Sequence, residues 1–364
     1  AEYVEADIGW EFWKNEGTPL PERTIKLLEK HHIGLFGAIT SKPKDEALEE
    51  LDPSLHGKGL IYASPIVGLR QHFNLDVCIR PCHTYKGNPL NFIRRGRNLE
   101  IEEPVIDVAI FRQNTEGLYG GVEWSDPPDI VYDALASHPK FQKNFKDVPR
   151  EELSVSTRIF TRQATERILR AAFSYARKNN YKSVTVCEKP NVIRETSGMM
   201  YKLAMELQKA EYSDIELWNT NIDAQMMWLT KNPENYGVIV AGNMFGDIVS
   251  DGFAGLIGGL GFACSANIGK EVAVFEPTHG SAPKYAEYPV PIVNPIAMIE
   301  SACLMLDHLN ETMMATRIRK AIARVIEEGK VRTYDMMKMP GRPDVIDQGA
   351  ASTIQMTDAI IANL

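Results

Sequence analysis

Two hydrophobic periods trade places along this chain, and the exchange predicts its architecture. Residues 3–8 alternate apolar and polar as a strand does. Residues 21–32 switch to helical spacing, with Pro21 early and Ile25, Leu27 and Leu28 on one side. Residues 33–39 read as a glycine-containing strand that ends in Thr40-Ser41-Lys42-Pro43. The stretch 42–60 is charged and turn-rich, a loop or a short exposed helix. Residues 64–74 open a helix with Ser64 as N-cap and Pro65 at its first position. Strands are predicted over 75–80 and 104–111, the second delivering Arg112. Residues 117–160 break the pattern: rich in Tyr, Trp, Pro and Asp with short β-like pieces, they predict an excursion from the main body. Alternation then resumes: helix 163–179, strand 183–187, helix 196–209, strand 215–219, helix 224–230, strand 237–241. The last third reads as mainly helical, over 295–309, 313–328 and 352–362. Strands alternating with helices predict an α/β sheet, largely parallel.

Composition narrows the classes. A chain of 364 residues accommodates two domains or one large α/β unit. A net charge of −8 excludes general nucleic-acid binding, while a local arginine cluster still suits an acidic ligand. The five cysteines are scattered without zinc or redox spacing, which points to a reducing compartment. No apolar run is long enough for a membrane span, and the richest, 253–264, is broken by glycines. No signal-peptide pattern opens the chain, and no internal repeat is visible.

The chemistry concentrates in Asn243 to Gly259, NMFGDIVSDGFAGLIGG, where an apolar strand turns into a helical pattern. Asp247 and Asp251 lie four apart, so they share one helix face. Two carboxylates so placed are either an acidic pair complementing a helix N-terminus or a site for a hard divalent cation. Arg70, Arg80 and Arg112 sit on a helix and at two strand ends. Arginine forks match carboxylates, so the trio suits a polycarboxylate; taken alone they are also consistent with separate surface ion pairs. Likewise Tyr119 alone reads as a packed aromatic, Lys189 as a solvated cation and Ser64 as an N-cap.

Taken together the motifs are specific. They are Asn243-x-x-Gly246-Asp247-x-x-Ser250-Asp251 with Gly258-Gly259, Arg112-Gln-Asn-Thr-Glu-Gly-Leu-Tyr119, Lys189-Pro-Asn191, Asn221-Ile-Asp223, and Phe275-Glu276-Pro-Thr-His279-Gly280-Ser-Ala-Pro283 with Asn294-Pro295. Over nearly its whole length the chain resembles the β-decarboxylating dehydrogenases, the family of isocitrate, isopropylmalate, homoisocitrate and tartrate dehydrogenases. The resemblance implies an α/β fold of large and small domains around a mixed sheet, with a β-rich dimer clasp. The implied large, cofactor-binding domain is 1–75 with 258–364. The small domain is 76–116 with 161–257, and the clasp is 117–160.

The resemblance also implies roles. Asp247 and Asp251 would bind Mg²⁺ or Mn²⁺, joined by Asp223 from a partner subunit. Arg70, Arg80 and Arg112, with Ser64 and Asn191, would hold substrate. Tyr119 and the partner's Lys189 would be the acid–base pair, which makes a homodimer obligatory. The cofactor would lie against Thr40, Glu276, His279, Gly280, Ser281, Ala282 and Asn294. NAD-dependent relatives follow that loop with Asp-Ile. Here Lys284-Tyr285 follow, and Tyr334 and Lys338 stand where NADP enzymes carry Tyr and Arg, so NADP is the expected cofactor: a carboxylate would repel a 2′-phosphate. Ser64 and Arg70, and Val122-Glu123-Trp124 after Tyr119, match isocitrate enzymes. Ile66 stands where those carry Asn, which keeps homoisocitrate, isopropylmalate and tartrate as alternatives. The Glu and paired Leu of isopropylmalate enzymes are missing, and Val67 stands where homoisocitrate enzymes carry an extra Arg. A non-catalytic regulatory subunit is disfavoured because Tyr119, Lys189, Asp223, Asp247 and Asp251 are all present. The expected compartment is the bacterial cytoplasm or the mitochondrial matrix. The family opens with a strand and a Gly-Asp-Gly turn; this chain starts at what reads as its second strand. Either a segment precedes it or the sheet is built differently. Residues 42–60, longer than usual beside the nicotinamide, are expected to act as a lid.

Overall fold

The computed structural model describes residues 2–96 and 98–364. One sheet of eight strands runs through the molecule, in the order Ile33–Leu35, Ala273–Pro277, Cys264–Ile268, Val77–His83, Asp107–Gln113, Val238–Ala241, Ser183–Glu188, Glu216–Asn221. From Asp107–Gln113 to Glu216–Asn221 the neighbours are parallel. Cys264–Ile268 and Val77–His83 run antiparallel to theirs. The sheet is therefore mixed, as the resemblance implies, and not largely parallel as the alternation alone predicts.

Parallel strands covered on both faces need continuous apolar runs, and Val238–Ala241 is buried throughout. Helix Arg162–Lys178 covers one face. Its Ile168, Leu169, Ala172, Phe173 and Ala176 recur at three- and four-residue spacing and pack with Phe111 and Val240. Each buried Ile, Leu or Phe contributes about 1.5–3 kcal/mol. Thr161 starts this helix, its hydroxyl accepting from the Ala164 N–H at 3.2 Å. The opposite face is covered by Asn243–Ile257, Thr312–Glu328 and Thr353–Ala362, whose Val249, Phe253, Ile322, Val325 and Ile360 meet Val108, Ile110 and Ile239. The strand register aligns Ala241 with Arg112 and Glu188 with Asn221, so the C-terminal strand ends share one edge.

The structure corrects several expectations. Residues 3–8 form no strand and have no sheet partner. Helix Trp10–Glu16 adds to the predicted elements, whereas 42–60 holds the short helix expected there, Lys44–Glu49, with the 3₁₀ turn Pro53–Leu55. The C-terminal third also holds two strands, Cys264–Ile268 and Ala273–Pro277. The apolar run 253–264 hid the first of them. Its helical half ends at Ile257, Gly258 and Gly259 turn the chain at φ 128° and 84°, and strand begins at Cys264. Residues 117–160 are not β-rich. A small ribbon pairs Glu123–Ser125 with Ser154–Ser156, and between them stand helices Asp129–Ala136 and Pro139–Phe145. Pro128 and Pro139 mark helix starts, where a fixed φ and a missing N–H cost nothing. The remaining predicted elements form within a few residues of their expected bounds, but Arg80 lies at the middle of strand Val77–His83 and Arg112 inside strand Asp107–Gln113, so neither stands at a strand end as expected. Among the described residues no helix is long and apolar enough to cross a membrane.

Candidate active site

Asp247 and Asp251 stand on one face of helix Asn243–Ile257, and two arginines from the sheet reach them. The Arg80 Nη1 donates to Asp247 Oδ1 at 3.0 Å, to Ser250 Oγ at 2.8 Å and to Asp251 Oδ1 at 3.2 Å. Arg112 Nη1 donates to the same Asp247 oxygen. Its Nε and Nη2 both donate to Asn243 Oδ1, at 3.0 and 2.8 Å. Gly246 makes this approach possible: a Cβ there would sit 2.7 Å from the Arg112 Cβ. Burial pushes the Arg112 guanidinium down to about 10, and like-charge repulsion from Arg80 adds to it. Burial raises the Asp251 carboxyl above its ordinary value; Arg80 opposes that and Asp247 adds to it. Tyr119 joins from the side, its ring centroid 5.7 Å from the Arg112 guanidinium carbon.

A cleft of about 520 Å³ opens beside this cluster. One wall is the segment 36–42, the other is 276–283, and Arg70, Arg80 and Ile66 form its floor. The walls are tied together: Thr40 Oγ1 and Ser281 Oγ share a hydrogen bond of 2.6 Å, and the Ser281 N–H donates to the Ile39 carbonyl at 3.1 Å. Arg70 Nη2 donates to Glu276 Oε1 at 2.8 Å, and Asn267 donates to the same oxygen at 2.8 Å. Arg70 Nε, Arg80 Nε and Thr278 Oγ1 are buried without a partner.

The structure therefore brings together most residues singled out in the sequence. Thr40, Arg70, Arg80, Glu276, His279, Gly280, Ser281 and Ala282 all line the cleft. Ser64 caps helix Pro65–His72 by position, yet its hydroxyl makes no capping bond. Beyond Pro283, Lys284 lies over the Tyr285 ring at 4.8 Å, and Tyr285 packs on Tyr334 at 5.8 Å. Lys338 is exposed, at φ 56°. Asn294 turns inward: it donates to Asp335 at 3.0 Å and accepts from the Ile296 N–H at 3.0 Å.

Lys189, Asn191 and Asp223 stand apart from the arginine–aspartate cluster. Lys189 pairs with Asp223 and holds that carboxyl below its ordinary value, while Asn191 is exposed. Among the described residues no three His, Cys, Asp or Glu side chains converge as a metal ion would require. The Asp247 and Asp251 hydrogen bonds to arginine use Oδ1 only, so each carboxylate keeps a second, hard oxygen donor for a cation.

Sequence reading missed a buried link beneath these groups. Glu188, fully buried, accepts from the Gly242 N–H at 2.7 Å, from Ser197 Oγ at 2.6 Å and from Arg158 Nη2 at 2.8 Å. It joins the start of the aspartate-bearing helix to the residue before Lys189. The one sequence signal was a charged residue closing an otherwise uncharged strand.

The isocitrate/isopropylmalate dehydrogenase family model matches residues 1–360. Protein DlpA of Legionella pneumophila is 37% identical over 357 residues, 98% of this chain and 52% of its own, so the chain spans about half the length of that relative. A 3-isopropylmalate dehydrogenase of Methanothermobacter thermautotrophicus is 37% identical over 334 residues, 91% of this chain and 83% of its own. The solved isocitrate dehydrogenase of Methylococcus capsulatus aligns with a TM-score of 0.77 at 34% identity, over 98% of this chain and 88% of that one. By their names the latter two relatives differ in the acid they take.

Proposed function

Because the chain belongs to the isocitrate/isopropylmalate dehydrogenase family, we propose that it oxidatively decarboxylates isocitrate to 2-oxoglutarate, with a divalent metal, and passes hydride to NADP. The observation that carries the reading is the Arg80–Asp247–Arg112–Asp251 cluster set against a cleft lined by Arg70 and Arg80. Arg70, Arg80 and Arg112 hold the carboxylates of the acid. Asp247 and Asp251 offer their free oxygens to Mg²⁺ or Mn²⁺, with Asp223 of the partner subunit. When bound, the metal supplies Lewis acidity to the 2-hydroxyl and to the charge left as CO₂ departs. Tyr119 Oη and the Nζ of the partner subunit's Lys189 share the proton work, one relieving the hydroxyl and the other returning a proton to carbon. His279 to Ala282, with Thr40, cradle the adenosine half, and Lys284, Tyr285, Tyr334 and Lys338 take the 2′-phosphate.

Two observations support a homodimer. Lys189 and Asp223 lie outside their own chain's cluster, and Val192, Trp218, Met227, Trp228 and Ile248 expose apolar surface in the same part of the chain. The free cysteines fit a reducing compartment such as the bacterial cytoplasm. Isocitrate is favoured by the Ser64 and Arg70 pattern of the sequence, and Ser64 makes no capping bond that would occupy its hydroxyl. A sister acid, namely homoisocitrate, 3-isopropylmalate or tartrate, is the second reading, because Ile66 presents an apolar floor where isocitrate enzymes carry Asn.

The test is the near-ultraviolet absorbance of reduced nicotinamide, with Mn²⁺, across these four acids and both NADP and NAD. Reduction of NADP by isocitrate alone is expected. Turnover of another acid alone would replace the substrate reading, and preference for NAD would overturn the cofactor reading.

A further inference from the structure

A small apolar cluster sits on the rim of the cleft and belongs to the rim alone. Trp13, Ala47 and Leu51 are its buried centre, with Trp10, Leu55 and Tyr62 packed around them, all within residues 10–62. Helix Trp10–Glu16 and residues 42–62 thus form a cap with a small core of their own. Tyr62 Oη fastens it to the cleft wall by donating to the Thr40 carbonyl at 2.8 Å.

One cation of this cap, Lys42, lines the cleft together with Arg70 and Arg80. Its ammonium is held away from them. It pairs with Glu50 and lies 5.4 Å from the Trp10 ring centroid, and Glu50 also accepts from Trp10 Nε1 at 2.6 Å. The two side chains are 32% and 35% exposed. An ion pair this open to water is weak and exchangeable. An oxyanion inside the cleft would offer Lys42 a drier partner, beside two arginines that already favour negative charge.

We propose that Lys42 is a further anion-binding residue of this cleft and that Glu50 is its resident competitor, released when a ligand oxyanion takes the ammonium. The proposal rests on the reading that the cleft takes a nicotinamide dinucleotide and a polycarboxylic acid. The oxyanion is a phosphate of the first or a carboxylate of the second, and separate titrations tell them apart.

The experiment titrates wild type, Lys42→Met, Lys42→Arg and Glu50→Gln with NADP, and separately with isocitrate plus Mn²⁺, by isothermal calorimetry. Lys42→Met is expected to weaken one of the two ligands about tenfold, the worth of a charge-assisted hydrogen bond. Glu50→Gln is expected to tighten the same ligand several-fold, and Lys42→Arg to restore most of the loss. A merely structural pair would move Lys42→Met and Glu50→Gln in the same direction or leave binding unchanged, and either result overturns the proposal. Should Lys42→Met fail to fold, Glu50→Gln decides alone: tighter binding supports, unchanged or weaker binding overturns. A wild type that binds neither ligand removes the functional reading and this proposal together. A wild type that binds with no opposed response removes this proposal only.

Discussion

Replacing Glu188 separates a structural charge from a decorative one. The carboxylate is fully buried and takes three donors, Gly242 N–H, Ser197 Oγ and Arg158 Nη2. Glu188→Ala leaves the Arg158 guanidinium without its counter-charge and the Gly242 N–H without an acceptor. Removing one member of a buried pair costs about 3–5 kcal/mol, because the other charge stays behind. Arg158 keeps some compensation. It donates to Thr196 Oγ1 at 3.2 Å and Ser197 Oγ at 3.0 Å, lies 4.6 Å from the Phe160 ring and 5.0 Å from Phe245, and is 16% exposed. The expected loss is therefore at the lower end, about 3 kcal/mol. Urea unfolding followed by far-ultraviolet circular dichroism reads it as a lowered midpoint at constant slope. The double variant Arg158→Met/Glu188→Leu should recover most of the loss, since an apolar pair of similar volume replaces two desolvated charges. A single-variant loss below about 1 kcal/mol, or a double variant as damaged as the two singles added, would refute the reasoning. Gly242 opens the helix that carries Asp247 and Asp251, and Lys189 follows Glu188 directly. Turnover of the folded Glu188→Ala protein should fall as well.

Asp247→Asn removes the carboxylate that Arg80 and Arg112 share. Turnover should drop at least about a hundredfold with the circular dichroism unchanged. The rise in Tm that Mn²⁺ gives wild type should vanish; a rise of wild-type size would overturn the metal assignment. Gly341→Ala would place a Cβ 2.4 Å from the Tyr285 hydroxyl. It should raise KM for NADP several-fold more than KM for NAD, and an unchanged ratio would detach Tyr285 from the 2′-phosphate. All five cysteines are buried, and burial pushes the Cys82, Cys187 and Cys303 thiols up to about 12. Ellman's reagent at about pH 8 should label none in the native protein and five in denaturant; fast native labelling would contradict that burial.

What the sequence determined by itself is what local geometry determines. A 3.6-residue period is enough to put Asp247 and Asp251 one turn apart on one helix face, whatever they meet. A strand that carries Arg112, and Pro65 after Ser64, are likewise decisions of neighbouring residues. The glycine at 246 was legible as a motif member, although its reason, room for the Arg112 side chain, was not. The tertiary structure decided which charges meet. Arg80 reaches Asp247 across 167 positions of chain and Arg70 reaches Glu276 across 206. No local window holds both partners, and only the cost of burying an uncompensated charge selects the pairing. Strand direction was hidden for a similar reason. Cys264–Ile268 begins where a glycine-broken apolar stretch ends and Ala273–Pro277 runs into a loop motif, and only their hydrogen bonds to distant strands define them. The helices of 117–160 are only 8 and 7 residues long and none of their residues is buried, so each is too short for its period to stand out. The link from Glu188 to Gly242, and the hold of Glu50 on Lys42, exist only once the sheet has closed and the cap has packed.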